Sequence, residues 1–176
     1  MTKLITLLFG LSFTLISTIQ AQNIDSKQSK AAFSIGNMGG MNTVKGTFTG
    51  MTGTIKFYPT ELSKSEFEVC INAATINTGI AKRDKHLKTK DFFEVNKYKT
   101  ICFKSSSIKK SGKKYIVKGK LTIHGKTKNV EIPFTYRNKK FVGSIKINRF
   151  DYGIGADTGT FMVSTNAKIT ITCVVK

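Results

Sequence analysis

The chain has 176 residues, 40% of them hydrophobic, which is enough for one domain with its own core. It carries 29 Lys and Arg against 10 Asp and Glu, a formal net charge of +19. That balance excludes an acidic surface and favours anionic partners such as phospholipid surfaces or phosphorylated ligands.

The N-terminus reads as an export signal. Lys3 precedes the apolar run "LITLLFGLSFTLI" (4–16), and polar residues then lead to Ala21. A charged start, a short greasy stretch and a small residue at the end form the pattern of a cleaved signal peptide. The run is too short for a comfortable membrane span, and no cysteine near its end indicates a lipid anchor. The expectation is a signal over 1–21 and a mature domain over 22–176, periplasmic or secreted.

From there, period-two alternation dominates, as in half-buried strands. Phe33 and Ile35 alternate with Ala32 and Ser34, and Ile55 and Phe57 with Thr54 and Lys56; Phe48 joins the same inward set. Phe67, Val69, Ile71 and Ala73 alternate with Glu66, Glu68, Cys70 and Asn72. The stretch "TGIAKRDKHLKTK" (78–90) breaks the pattern: Ile80, Asp84 and Leu87 fall at helical spacing, with Thr78 placed to cap the start. Phe92 and Phe93 follow it.

Alternation then resumes. Ile101 and Phe103 oppose Cys102 and Lys104, and Leu121 and Ile123 share a face with Tyr115, Val117 and Gly119. Val130, Ile132, Phe134 and Tyr136 form the next apolar set, then Phe141, Gly143, Ile145 and Ile147, and finally Ile169, Ile171, Cys173 and Val175. Pro133 interrupts its run and marks an edge, an end or a bulge. Short polar links at 109–114, 124–128 and 137–140 suit hairpins.

About eight antiparallel strands, each greasy on one face, must fold over or close. A barrel closes the edges and turns every apolar face inward. Gly119, Gly143, Ala73 and Ala167 take inward parity where a filled core would prefer Leu or Val. Either they leave room for a long apolar ligand, or neighbouring aromatics occupy that room.

Two polar clusters invite a functional reading. Arg83, Asp84 and His86 lie within four positions, and Arg149 is followed by Phe150 and Asp151. Imidazole and carboxylate can exchange protons near neutral pH, but residues two apart on a helix diverge, so Asp84 and His86 form no dyad. The clusters either tie the helix and turn to their neighbours or offer one group to a ligand headgroup.

No nucleophile has an evident base, so no catalytic residues are assigned. The cysteines Cys70, Cys102 and Cys173 have neither CxxC spacing nor a companion pair of histidines, so no metal site is assigned. An exported chain permits disulfides. Cys70 and Cys102 share outward parity and can bridge if their strands are neighbours in register; Cys173 is expected to remain a buried thiol.

Between Lys97 and Lys146, 15 basic residues face one acid, Glu131. That stretch is either a solvated face or a docking surface for an anionic membrane; no specific nucleic acid is expected.

The segments "AAFSIGNMGGMNTVKGTFTGMTGTIKF" (31–57), "FEVCINAATINTG" (67–79), "RDKHLKTKDFF" (83–93), "YKTICFKS" (98–105), "GKLTIHGKTK" (119–128) and "INRFDYGIG" (147–155) occur in the order of a known pattern. The chain resembles the YceI-like, lipocalin-like polyisoprenoid-binding proteins over nearly all of 22–176. It departs from them in "YKTICF", where the family usually has a proline before the strand.

The resemblance implies an eight-stranded antiparallel lipocalin-like barrel with one or two short helices near one end. It also implies a long-chain amphiphile inside: an isoprenoid quinone, a polyprenyl phosphate, or a fatty acid or its amide. A homodimer is consistent with it. The functional expectation is therefore a non-enzymatic carrier with no cofactor beyond a bound lipid. Its pocket is expected to be lined by Phe33, Ile35, Phe48, Phe57, Phe67, Val69, Ile71, Phe103, Leu121, Ile123, Phe134, Ile145 and Ile147, together with Leu87, Phe92, Phe93 and Phe150.

Overall fold

The computed structural model describes residues 21–176; the segment read as a signal peptide lies, but for Ala21, outside the described residues. The strands are β1 (Gln22–Asn23), β2 (Lys30–Asn37), β3 (Asn42–Phe48), β4 (Thr52–Lys56) and β5 (Glu66–Asn72). Helix α1 (Ala81–Leu87) follows, then β6 (Thr100–Ser111), β7 (Lys114–Ile123), β8 (Lys126–Arg137), β9 (Lys140–Asn148) and β10 (Val163–Val174).

All ten strands form one antiparallel sheet in the order β1-β4-β5-β6-β7-β8-β9-β10-β2-β3. The expected barrel-like all-β fold is present, with more strands than the eight expected. The additional ones are β1, of two residues, and β3, of seven.

Turn chemistry sets the hairpins. The β7–β8 link is two residues, His124 and Gly125, at φ 49° and 71°. The β8–β9 link, Asn138 and Lys139, takes φ 50° and 58°. Positive φ at both central positions matches the right-handed twist of the flanking strands, so these turns roll the sheet continuously. In β6 a register shift between Ser105 and Ser107 resets the alternation, which turns Ile108 inward alongside Phe103.

The curl does not close every edge. β3 pairs with β2 on one side, and on the other is met by residues 75–78, through a Thr47–Asn77 bridge, a Thr49 amide donating to Thr75 Oγ1 at 2.9 Å, and the Thr78 methyl beside Gly46. A covering loop satisfies this edge where a barrel strand was expected.

A second opening lies between β8 and β9, whose pairing begins only at Phe134–Gly143. Pro133, with no N–H to offer, stands immediately before that point, so its local edge has a structural basis. The turn 149–155 lies against this gap, with Tyr152 O at 3.1 Å from His124 Nδ1. Near the chain ends, Ile24 bridges Val175, and the Lys176 amide donates to Asn23 O at 2.9 Å.

Two apolar clusters fill the interior. The larger includes Phe48, Met51, Ile55, Phe57, Phe67, Val117, Phe134, Phe141 and Cys173; the smaller joins Phe92, Ile123, Tyr152 and Ile154. Burial pushes the Tyr152 hydroxyl up to about 12 and the Cys173 thiol up to about 11, so both remain protonated at neutral pH.

Cys70 stands opposite Cys102 in the β5–β6 register, and the two are joined by a disulfide. Cys173 is the free thiol among the described residues, and it is buried. Thiol titration of unfolded, unreduced protein should therefore find one reactive group per chain; three would eliminate the bridge.

Candidate functional site

The strands' inward faces enclose a cavity of about 240 Å³. Its wall is apolar: Phe33, Ile35, Phe48, Phe67, Val69, Ile71, Phe103, Leu121, Ile123, Phe134, Ile145 and Ile147 all line it. Leu87, Phe92 and Phe93 contribute from α1 and the turns after it, as the helix-plus-Phe-pair reading expected. The Leu87 carbonyl accepts from the Phe93 amide at 3.1 Å, which folds this segment over the sheet.

Further lining residues outside the expected set include Ala31, Met51, Ile101, Val117, Ile132, Phe141, Ile154, Val163, Ile169, Ile171 and Cys173, and also Cys70 and Cys102, whose parity read as outward. Parity alone could have found the other strand residues among these. Ile154 and Val163 lie at either end of an irregular stretch that carries no periodic signal.

Two expected lining residues fall elsewhere. Phe57 does not touch the cavity. Its ring lies 5.0–6.0 Å, centre to centre, from Phe67, Tyr115, Phe134, Tyr136 and Phe141. Edge-to-face packing of that kind is how aromatic rings fill space without voids, and here it plugs one end of the barrel. Phe150 is 36% exposed, with the Arg149 guanidinium 4.0 Å above its ring. It sits in a 3-10 turn (Arg149–Tyr152), where strand parity does not apply.

The inward small residues also divide. Gly143 and Ala167 line the cavity, whereas Ala73 is buried in a turn after β5. A Cβ on Gly119 would meet the Lys104 carbonyl oxygen and the Phe103 ring, so that space is filled by a neighbouring aromatic. At Gly143 the nearest atom would be Ile132 Cγ2 at 3.0 Å, a methyl on a side chain rather than backbone.

Gly143→Leu is therefore expected to keep or raise the melting temperature while bound ligand falls sharply. Gly119→Leu should overpack and cost about 1–3 kcal/mol. Melting curves and ligand content of the two variants, measured side by side, check this; equal destabilisation of both would remove Gly143 from the cavity wall.

The polar clusters turn out to be ties. Thr78 does not cap α1, whose N-cap is Ile80. Instead the Thr78 amide donates to Asp84 Oδ1 at 2.9 Å and its hydroxyl to the same oxygen at 2.5 Å. Arg83 Nε donates to Thr78 Oγ1 at 2.7 Å and Nη2 to Thr78 O at 3.0 Å. His86 and Asp91 meet at 3.3 Å on the surface. None of Arg83, Asp84 and His86 lines the cavity, and Asp84 and His86 face different partners.

Arg149 is the one charged residue lining the cavity, and it is 3% exposed. Its donors reach five backbone carbonyls, those of Ser164, Ile154, Gly155, Thr158 and Val163. A guanidinium has five N–H groups, so the fork is fully used. Burial holds its pKa below the ordinary arginine value. Its hydrogen bonds organise the stretch 149–164 and leave no donor for a headgroup.

The basic stretch Lys97–Lys146 runs through outward positions on β6–β9, with ion pairs Lys97–Glu94, Lys104–Glu68 and Lys118–Glu131 along it. Among the described residues no cluster of His, Cys, Asp and Glu is placed to hold a metal.

A rolled antiparallel sheet around an apolar interior, plugged by aromatics at one end and covered by a helix and loop at the other, defines a β-barrel-like protein with an internal cavity. The model of the YceI-like domain matches residues 22–175, and the chain belongs to the YceI-like family.

A UPF0312 protein of Photorhabdus laumondii is 35% identical over 130 residues, 68% of each chain. A UPF0312 protein of Vibrio cholerae is 30% identical over 144 residues, 74% of this chain and 76% of its own. Among solved structures, BcnA of Burkholderia cenocepacia matches with a TM-score of 0.79 at 27% identity, covering 87% of this chain and 99% of its own. A polyisoprenoid binding domain from Saccharophagus degradans shares the fold, with a TM-score of 0.68 at 17% identity, over 89% of this chain and 98% of its own.

Proposed function

We propose that this protein is a non-catalytic carrier that holds the apolar chain of a long amphiphile inside its barrel and works outside the cytoplasm. The observation that carries this is the cavity: about 240 Å³, walled by aliphatic and aromatic side chains, with a single charged residue whose donors are already used. The volume lies just below the usual range of small-molecule sites, about 300–1,000 Å³.

Burial supplies the affinity. Each CH₂ taken out of water contributes roughly 0.8 kcal/mol before ordering costs. Because Arg149 offers no free donor, recognition rests on chain length and shape more than on gripping a charged head. Isoprenoid quinones, polyprenyl phosphates and fatty acids or amides all fit that description, and the Saccharophagus domain of the same fold is described as polyisoprenoid binding. Export is supported by the charged-then-apolar N-terminus and by a disulfide, which persists in oxidising compartments.

Stripped protein should take up a long-chain quinone or fatty acid at about one per chain, read by quenching of its tyrosine fluorescence. Absence of uptake for every such ligand would defeat the proposal.

A further inference from the structure

Among the described residues, the large apolar side chains that stand exposed are Met38, Met41, Ile80, Phe150, Phe161 and Met162. None is on the barrel wall or at the aromatic plug. Met38 and Met41 flank the β2–β3 turn, Ile80 is the N-cap of α1, and the other three lie in the stretch 149–163. These are the segments that cover the end of the cavity opposite Phe57: Leu87, Phe92, Arg149, Ile154 and Val163, from the same segments, line it.

The patch is tied together. The Gly39 amide donates to Phe161 O at 2.7 Å, and a Cβ on Gly39 would touch the Phe161 ring. The β2–β3 turn and the far end of the 149–163 stretch therefore present one surface, with Met41 74% and Phe161 62% exposed. Water-facing apolar groups of that size gathered at one end mark an interaction site.

Charge selects the partner. On α1 and the turn after it, Lys82, Lys85 and Lys90 are exposed, and none is among the lysines in ion pairs with a carboxylate. Asp84 of the same helix is taken by Thr78 and Asp91 meets His86, while Asp151 and Asp157 are the exposed acids of the 149–163 stretch. The chain as a whole is at +19. Apolar tips flanked by free cations form the surface that settles into the headgroup region of an anionic bilayer, with side chains in the acyl boundary and lysines at the phosphates.

We propose that this end is a membrane-docking face, on which Met38, Met41, Phe161 and Met162 insert into an anionic phospholipid bilayer so that the cavity's covered end opens against the lipid. The inference rests on the carrier reading for its purpose, but not for its test. It also moves docking away from the lysine-rich wall of β6–β9, whose exposed side chains alternate with strand residues facing inward and carry no apolar tip.

The experiment is co-sedimentation with phosphatidylcholine vesicles containing or lacking about 30 mol % phosphatidylglycerol, at low and physiological salt. The double variant Met41→Asp/Phe161→Asp should weaken binding to the anionic vesicles by about tenfold or more. Lys82→Glu/Lys85→Glu should weaken it chiefly at low salt. Lys110→Glu/Lys113→Glu, at the far hairpin, should leave it within about twofold.

Equal binding by wild type and the tip variant would overturn the proposal, as would equal losses at the far hairpin. A wild-type dimer that the tip variant converts to monomer, read by light scattering, would also overturn it by assigning the patch to a second copy. Vesicle binding by protein that takes up no ligand would keep this inference and remove the carrier reading; ligand uptake without vesicle binding would do the reverse.

Discussion

Replacing Arg149 with methionine is expected to destabilise the protein by about 3–5 kcal/mol, the range seen when one side of a buried polar arrangement is removed. Methionine fills much of the same volume, so the loss is not one of packing. It strands carbonyls of Ile154, Gly155, Thr158, Val163 and Ser164 that the guanidinium now satisfies from a 3% exposed position. Water can reach some of these once the segment loosens, which sets the upper limit on the cost.

Lysine should not rescue the protein, because its three donors on a flexible stem cannot meet five carbonyls arranged around a planar fork. Urea titration gives the stability, and limited proteolysis between Asp151 and Met162 reports the loosening. A change under about 1 kcal/mol with unaltered cleavage would contradict the role assigned to Arg149.

The second large effect lies at the opposite end. Phe57→Ala should cost about 3–5 kcal/mol, as for other buried aromatic truncations. Phe57 is 7% exposed and contacts five other rings, so its removal leaves a void bordered by groups that cannot all collapse into it. If Phe57 is the plug that ends the cavity, the milder Phe57→Leu should retain the fold while admitting ligands with longer chains. A Phe57→Ala variant as stable as wild type would show that the aromatic cluster is redundant.

These two residues also mark where the sequence is and is not informative. Alternation made β2 and β4 to β10 legible with their inward faces, because a half-buried strand must repeat every two residues, whereas β3 left only Phe48 as an inward residue. It placed Phe33, Phe67, Leu121 and Ile145 on the inner face, and the structure puts them on the cavity wall.

Parity says which face a residue takes, but not how far along the barrel it lies. Phe57 therefore read as wall and is plug, and at Gly119 parity left both open room and a neighbouring aromatic, of which the structure shows the aromatic, Phe103. Parity also lapses outside strands, which is why Phe150 was misplaced. Arg149 was visible only as a basic residue between polar and aromatic neighbours. Its five carbonyls belong to residues 5–15 positions away in chain, brought to it by an irregular loop that leaves no periodic trace. The gap between β8 and β9 was half-legible, since Pro133 signalled an edge without saying which partner strand was missing.

The α1 cluster shows a different limit. Arg83 and Asp84 are adjacent and diverge on the helix, yet both reach Thr78, because the preceding turn returns that residue to the helix. Helical geometry alone considers residues on the helix and misses a shared partner just before it.

The central claim is that the barrel interior holds a long apolar chain, and the most direct measurement is mass spectrometry of organic extracts from protein purified without detergent. The account predicts a non-covalent lipid-like molecule at about one per chain, sharply reduced in Gly143→Leu and retained in a surface control such as Lys110→Glu. Extracts holding no such molecule, or equal amounts in Gly143→Leu and wild type, would contradict it.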